Sequence, residues 1–257
     1  MKFVDSHAHV SDAALLPHIE AIVARARLAH VEKILNICTT PEELAVGLEL
    51  EKRFPEIRCA GATTPHDCEQ ECESTFACFA KAARERKLAA VGETGLDYYY
   101  KELPKEVQKR VLERYLQLSC ETKLPVIFHC REAFADLFTM TDALYPKGSP
   151  AILHCFTGTM EEAQGVWDRG WYLSLSGIVT FKNSQALREV AKLAPLSQLL
   201  IETDAPFLAP QSKRGKQNEP AFLPEVASCI AAVKGVRVEE VARATSENAK
   251  ALFHFKG

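Results

Sequence analysis

The sequence predicts a (β/α)8 barrel, and three observations carry that expectation. Eight short apolar runs recur along the 257 residues. Longer stretches with helical periodicity separate them. The turn after the first run reads His7-Ala8-His9, without the glycines that a dinucleotide-binding open sheet places there. Eight β–α units of this size match the roughly 250 residues of such a barrel. No repeat, low-complexity tract or linker divides the chain, so a single domain over 1–257 is expected.

The strand candidates, in order, are 2–7 (KFVDSH), 33–38 (KILNIC), 57–62 (IRCAGA), 88–93 (LAAVGE), 124–129 (LPVIFH), 150–154 (PAILH), 170–175 (GWYLSL) and 198–203 (QLLIET). Between the first two, Leu15, Ile19, Ile22, Val23 and Ala26 share one helical face. After the fourth, Pro104 is placed near a helix start, and Val107, Val111, Tyr115 and Leu118 continue the apolar stripe. At the end, Val238, Val241, Ala242, Thr245, Ala249 and Leu252 repeat it. The segment 205–222 is rich in Pro, Lys and Arg and reads as a long loop after strand eight. Loops of that length at that face commonly carry function.

Composition narrows the function. Apolar residues make up 47% and charged residues 25%, an ordinary globular balance. A chain this long buries a full core without disulfides or a structural metal. The net charge of −3 is unlike that of a protein that coats nucleic acid through bulk positive charge. Local cations and bound metals still suffice to handle phosphates at one site. Nine cysteines, no apolar leader segment and no run of membrane-spanning length point to reduced thiols in the cytoplasm. Cys59, Cys68, Cys72 and Cys78 do not form the two matched pairs of common zinc sites. Cys68 and Cys72 have the spacing of one helical face.

The chemistry lies in where the histidines and acids fall. His7 and His9 end strand one, Glu93 ends strand four, His129 ends strand five, His154 ends strand six, and Asp204 follows strand eight. His66 sits in the loop after strand three. In a barrel these ends meet at one mouth. Residues i and i+2 of a strand share a face, so His7 and His9 point the same way, while Cys130 and Cys155, each following a histidine, turn away. Alone, each histidine or acid reads as a structural core group. Six of them at one mouth read as a divalent-metal site with ligands enough for two ions. Two ions sharing a carboxylate stabilise both the attacking and the leaving oxygen of a displacement. Asp5 and Glu202 read as groups that orient the ligands.

The stretches DSHAHV at 5–10, GETGLDYY at 92–99, HCR at 129–131, HCFTG at 154–158, ETDAPFLAP at 202–210, RGKQNEP at 214–220 and SENAKALF at 246–253 together resemble the TatD-like metal-dependent deoxyribonucleases, which are amidohydrolase-like TIM barrels. The resemblance spans the chain in order. It implies one ion held by His7, His9 and Asp204, a second held by His129 and His154, and Glu93 between them. It implies further that Asp204 accepts the proton of a metal-activated water and that His66 lies near the substrate phosphate. Arg131, just past strand five, is a candidate phosphate clamp, because a guanidinium binds phosphate bidentately. The ligand types suit Zn, Mn, Fe, Co or Ni, with Mg also to be considered. DNA is the implied substrate, cut by 3′–5′ exonuclease action. No membrane or obligate protein partner is implied, and the oligomeric state is open.

One departure stands out. Relatives often read G-[VI]-H-P-H where this chain reads Gly61-Ala62-Thr63-Thr64-Pro65-His66, so Thr64 replaces the first histidine and one residue is inserted. Two other functions fit parts of the pattern. A binuclear amidohydrolase or esterase, acting on a small molecule or on aminoacyl-tRNA, also carries H-x-H on strand one. Many of those bridge their metals with a modified lysine on strand four, where this chain has Glu93. A metal-binding scaffold is the third reading, but it would be expected to have lost some of the six ligands. Tyr98, Tyr99 and Tyr100 either stack on a base or cover the rim. Lys213, Arg214 and Lys216 either form a solvated face or touch a nucleic-acid backbone.

Overall fold

The structure is a computed structural model and describes residues 1–255. The last two residues of the expected domain, 256 and 257, lie outside the described residues. Eight parallel strands run in sequence order around one sheet: β1 (Phe3–Ala8), β2 (Val31–Cys38), β3 (Ile57–Gly61), β4 (Val91–Asp97), β5 (Val126–Arg131), β6 (Ala151–Leu153), β7 (Tyr172–Leu175) and β8 (Leu199–Ile201). One helix follows each strand: α1 (Ile19–Leu28), α2 (Pro41–Arg53), α3 (Glu73–Arg84), α4 (Lys105–Thr122), α5 (Phe134–Leu144), α6 (Met160–Asp168), α7 (Gln185–Leu193) and α8 (Leu223–Lys234). A further helix, α9 (Val238–Phe253), ends the described chain. This is the (β/α)8 barrel that the alternation predicts.

Local chemistry starts the helices where the sequence allows. Thr40 caps α2 by accepting the Glu43 N–H, with Pro41 in the first turn. Thr159 and Glu162 satisfy each other's backbone N–H groups in a capping box at α6. Val4, Ile37, Ala60, Ile127, Ile152 and Leu200 come from six different strands yet form one buried cluster. Strands that are not neighbours meet only inside a closed barrel, so these side chains are its interior filling. Leu252 and Phe253 from the end of α9, with Phe255, pack onto the same cluster and plug the barrel at the end opposite the mouth. The other large clusters lie between strands and helices.

The ring closes between β8 and β1 through buried polar groups. Asp5 accepts the Thr203 N–H at 2.9 Å on one oxygen and the Thr203 hydroxyl at 2.6 Å on the other. The Asp204 N–H donates to the His7 carbonyl at 2.9 Å, and the His9 N–H donates to the Ala205 carbonyl at 2.7 Å. Asp5 therefore fixes where Asp204 stands relative to His7. Between β4 and β5 the strands approach so closely that a Cβ on Gly95 would lie 2.0 Å from the His129 carbonyl oxygen, and Gly95 has φ +151°. Only glycine fits opposite His129.

The largest shift from the expected boundaries is in strand four, predicted at 88–93 and found at Val91–Asp97. Its second half, Glu93-Thr94-Gly95-Leu96-Asp97, is too polar for an apolar run to mark it. Glu93 is thus inside β4, and Asp97 ends it. Cys68 and Cys72 share no helical face either: α3 begins at Glu73, one residue after Cys72. None of the metal-competent clusters among the described residues contains a cysteine, and all nine cysteines are free thiols.

The seam carries a prediction. Replacing Asp5 by Ala leaves the buried Thr203 N–H without its acceptor, which costs about 1–3 kcal/mol. Urea denaturation of the Asp5→Ala protein is expected to show that loss, and a change under about 0.5 kcal/mol would remove Asp5 from the closure.

Candidate metal centre

A cavity of about 590 Å³ opens at the C-terminal ends of the strands. His9, Glu93, His129, His154, Asp204, His66 and Arg131 line it. His7 lies beneath, fully buried. The structure thus brings all six metal-ligand candidates and both substrate-contact candidates to one place.

Glu93 is at its centre, 5% exposed. Its Oε1 lies 2.8 Å from His129 Nδ1 and 2.8 Å from His154 Nε2. Its Oε2 lies 3.3 Å from His7 Nε2 and 3.8 Å from His9 Nε2. Each oxygen therefore faces one histidine pair. Asp204 Oδ1 lies 3.6 Å from His7 Nε2 and 3.5 Å from His9 Nε2, and those two nitrogens are 3.3 Å apart. On the other side, His129 Nδ1 and His154 Nε2 are 3.4 Å apart.

These spacings test the donor set. A tetrahedral ion with bonds of about 2.1 Å separates its ligand atoms by roughly 3.4 Å. Five separations among His7, His9, Glu93 and Asp204 fall between 3.3 and 3.8 Å. Two imidazole nitrogens facing each other at 3.3 Å share at most one proton between them. His7 presents Nε2 to His9, Glu93 and Asp204, and its ring is stacked on His154 with centroids 3.9 Å apart. The His7, His9, Glu93 and Asp204 atoms thus have the spacing of ligands to one divalent cation; on the other side His129 Nδ1 and His154 Nε2, 3.4 Å apart, have that spacing too, while Glu93 Oε1 stands at hydrogen-bond distance from both.

Electrostatics agree. Burial pushes the Glu93 carboxyl up, but the His154 charge and the hydrogen bonds of His129, His154 and His7 outweigh it and hold the group well below the usual carboxylate range. Asp204 is also held low: the His9 hydrogen bond and the charges of His7 and His154 overcome its burial. Burial, with His154 beside it, pushes the His7 ring down. Glu93 and Glu202 overcome burial to push His154 well above its ordinary value. Without an ion, protons on these rings must balance the carboxylates.

The loop after β8 is fastened by Asn218, fully buried, whose amide donates to the Thr203 carbonyl at 2.7 Å and the Phe207 carbonyl at 2.6 Å. Glu202 accepts the Cys155 N–H at 2.7 Å and lies 3.2 Å from His154 Nδ1, so it orients that ring. Cys155 departs from the strand-parity expectation. It follows the end of β6 with φ +44°, where strand alternation no longer applies, and it lines the cavity beside Ser176. His66 and Arg131 stand at the rim. The Arg131 guanidinium lies 3.6 Å from the Tyr99 ring centroid and forms no ion pair among the described residues. Tyr98 instead turns away to Asp136, at 2.7 Å.

Asp97 was not singled out in the sequence. Its Oδ2 lies 2.9 Å from His129 Nε2 and 3.1 Å from His66 Nε2. The nearby histidines, His129 first, overcome its burial and lower its carboxyl to about 2. The signal available in the sequence was parity: Glu93, Gly95 and Asp97 alternate along β4, and a strand extended through Gly95 would have placed Asp97 on the face of Glu93.

A barrel with this donor array at its mouth defines a metal-dependent hydrolase. The chain matches the TatD related DNase family over residues 4–254, and it belongs to that family. It is 37% identical to the metal-dependent hydrolase YabD of Bacillus subtilis over 249 residues, covering 97% of this chain and 98% of that one. It is 32% identical to the 3′-5′ ssDNA/RNA exonuclease TatD of Citrobacter rodentium over 254 residues, 97% of each chain. The structure of YjjV, a TatD homologue of Escherichia coli, superposes with a TM-score of 0.93 at 28% identity, covering 98% of each chain.

Two measurements follow from the array. Glu93→Gln removes the shared charge and turns an NH2 group toward one histidine pair. Loss of an orienting group alone costs about 10–100-fold in metal affinity, so this variant is expected to lose more than about 100-fold in a Zn titration of stripped protein. Wild-type affinity in that variant would exclude the role. Protons compete for His129 and His154, both raised in the metal-free state. Apparent Zn affinity is therefore expected to fall on acidification, by at least about tenfold per pH unit below neutrality, and a flat profile would contradict the assignment.

Proposed function

We propose that the chain hydrolyses phosphodiester bonds of unpaired DNA from the 3′ end, with two divalent ions at the barrel mouth. The observation that carries the reading is Glu93, whose two oxygens each face a separate histidine pair. In this reading His7, His9 and Asp204 would hold one ion and His129 and His154 the other, with the Glu93 carboxylate available to both. Zn and Mn suit the mixed nitrogen and oxygen donors, with Fe, Co, Ni and Mg as further candidates. When bound, the ions supply positive charge at the phosphate and acidify water at neutral pH.

The remaining work falls to the chain's own side chains. Asp204 is held ionised and accepts the proton of the attacking water at a carboxylate oxygen. Arg131 binds the phosphate through its free N–H donors, with its flat face supported on Tyr99. His66 contacts the phosphate from the adjacent rim. The exposed rings of Tyr100 and Phe207 also line the mouth, where unpaired bases stack. Three acids also line the mouth and accept hydrogen bonds locally: Asp12 from the Ala14 N–H, Glu43 from the Thr39 N–H, and Asp67, beside His66, from the Thr64 hydroxyl. In this reading the anionic strand enters along Arg131, the one Lys or Arg among the described lining residues. The family is one of DNases, and the Citrobacter rodentium relative is a 3′-5′ ssDNA/RNA exonuclease, which supports an unpaired nucleic-acid substrate and this polarity. The free thiols suit a reducing compartment, the cytoplasm. Among the described residues no helix is long and apolar enough to cross a membrane.

The test is metal-dependent shortening of end-labelled single-stranded DNA. Asp204→Asn is expected to lower kcat by about 10²–10⁴-fold. Arg131→Ala is expected to raise KM about tenfold, with kcat nearly unchanged. No cleavage of DNA or RNA with any divalent metal, by a protein that binds two ions, would sink the nuclease reading. Hydrolysis of an aminoacyl ester without cleavage of the polymer would replace it.

A further inference from the structure

We propose that Asp97 is a positioning residue that sets the tautomer of His129 and ties the substrate-side His66 to the metal centre. The proposal rests on the reading that His129 and His154 hold an ion.

The carboxylate is built for this. Its side chain is fully buried, and both oxygens are engaged. Oδ1 accepts the Tyr99 N–H at 2.9 Å, and Oδ2 stands against His129 Nε2 at 2.9 Å and His66 Nε2 at 3.1 Å. Gln108, fully buried on α4, clamps the backbone on both sides: it accepts the Asp97 N–H at 2.7 Å and donates to the Asp97 carbonyl at 2.9 Å. Asp97 therefore has one orientation. An ionised carboxylate only accepts, so the ring nitrogen facing it must carry a proton.

That requirement reaches the metal centre. With the proton on Nε2, a neutral His129 presents a bare lone pair at Nδ1, the atom that lies 2.8 Å from Glu93 Oε1 and 3.4 Å from His154 Nε2. The opposite tautomer would place a proton where the ion must sit. The same oxygen anchors His66, whose side chain is 41% exposed and would otherwise swing at the rim. One carboxylate thus orders a metal-side ring and a substrate-side ring together. Glu202 stands equivalently against His154 Nδ1 at 3.2 Å, and its second contact is the Cys155 N–H at 2.7 Å.

The experiment uses metal-stripped full-length protein and Zn, with affinity and stoichiometry read separately from activity. Wild type is expected to take up two ions. Asp97→Asn is expected to keep the ion at His7, His9 and Asp204 and to weaken the other about 10–100-fold. Nitrogen-detected NMR of the Zn-loaded wild type is expected to show His129 protonated at Nε2. His66→Ala leaves the Asp97–His129 contact intact and is expected to bind both ions as wild type does. Thermal denaturation checks that each variant is folded, and Asp97→Glu serves as a second variant if Asp97→Asn is not. Wild-type affinity for both ions in a folded Asp97 variant, or a proton on His129 Nδ1, would overturn the proposal. So would weakened Zn binding in His66→Ala or a third ion in wild type, because Asp97 would then be a ligand itself. A wild type that binds no metal would instead defeat the reading of the site on which the proposal rests.

Discussion

A carboxylate buried among four histidines is the constraint around which this barrel is organised. Glu93 has lost nearly all contact with water, and a buried charge of that kind is tolerated only when it is paired. The pairing comes from β1, β5 and the turn after β6, so three separate parts of the ring must arrive in register with β4. Gly95 lets β5 come close enough to bring His129 to Glu93. Asp5 ties β8 to β1 and sets Asp204 beside His7 and His9. The polar seam and the glycine opposite His129 are thus fold features with a chemical consequence.

In the proposed reading, the charge balance lets an acidic protein handle a polyanion. Glu93, Asp97, Glu202 and Asp204 converge in one buried volume, and four neutral imidazoles cannot neutralise them. The site must take up protons or metal ions, and two divalent ions cancel the four carboxylate charges, so the site no longer repels an incoming phosphate. Attraction is then confined to the mouth, where Arg131 supplies it, and does not require a basic surface. This agrees with a net charge of −3.

Much of the architecture was legible in the sequence because barrel strands announce themselves as short apolar runs. Seven of the runs coincide with strands to within about two residues at their starts. β4 does not: its apolar part, Leu88–Ala90, precedes the strand, and its functional half is polar and glycine-containing. The same property hid Asp97. The six candidate ligands were visible because each is a His, Asp or Glu at or near a strand end, and the structure places them around one cavity. Cys155 was misplaced because parity was carried past the end of β6 into a residue with positive φ. The sharing of one Asp97 oxygen by His66 and His129 depends on side-chain reach across three elements, which no spacing along the chain encodes.

If Glu93 joins two ion sites, anomalous diffraction from crystals soaked in Zn or Mn will show two peaks, one on either side of the Glu93 carboxylate: one among His7, His9 and Asp204 and one between His129 and His154. A single peak, or peaks that Glu93 does not touch, would contradict that role.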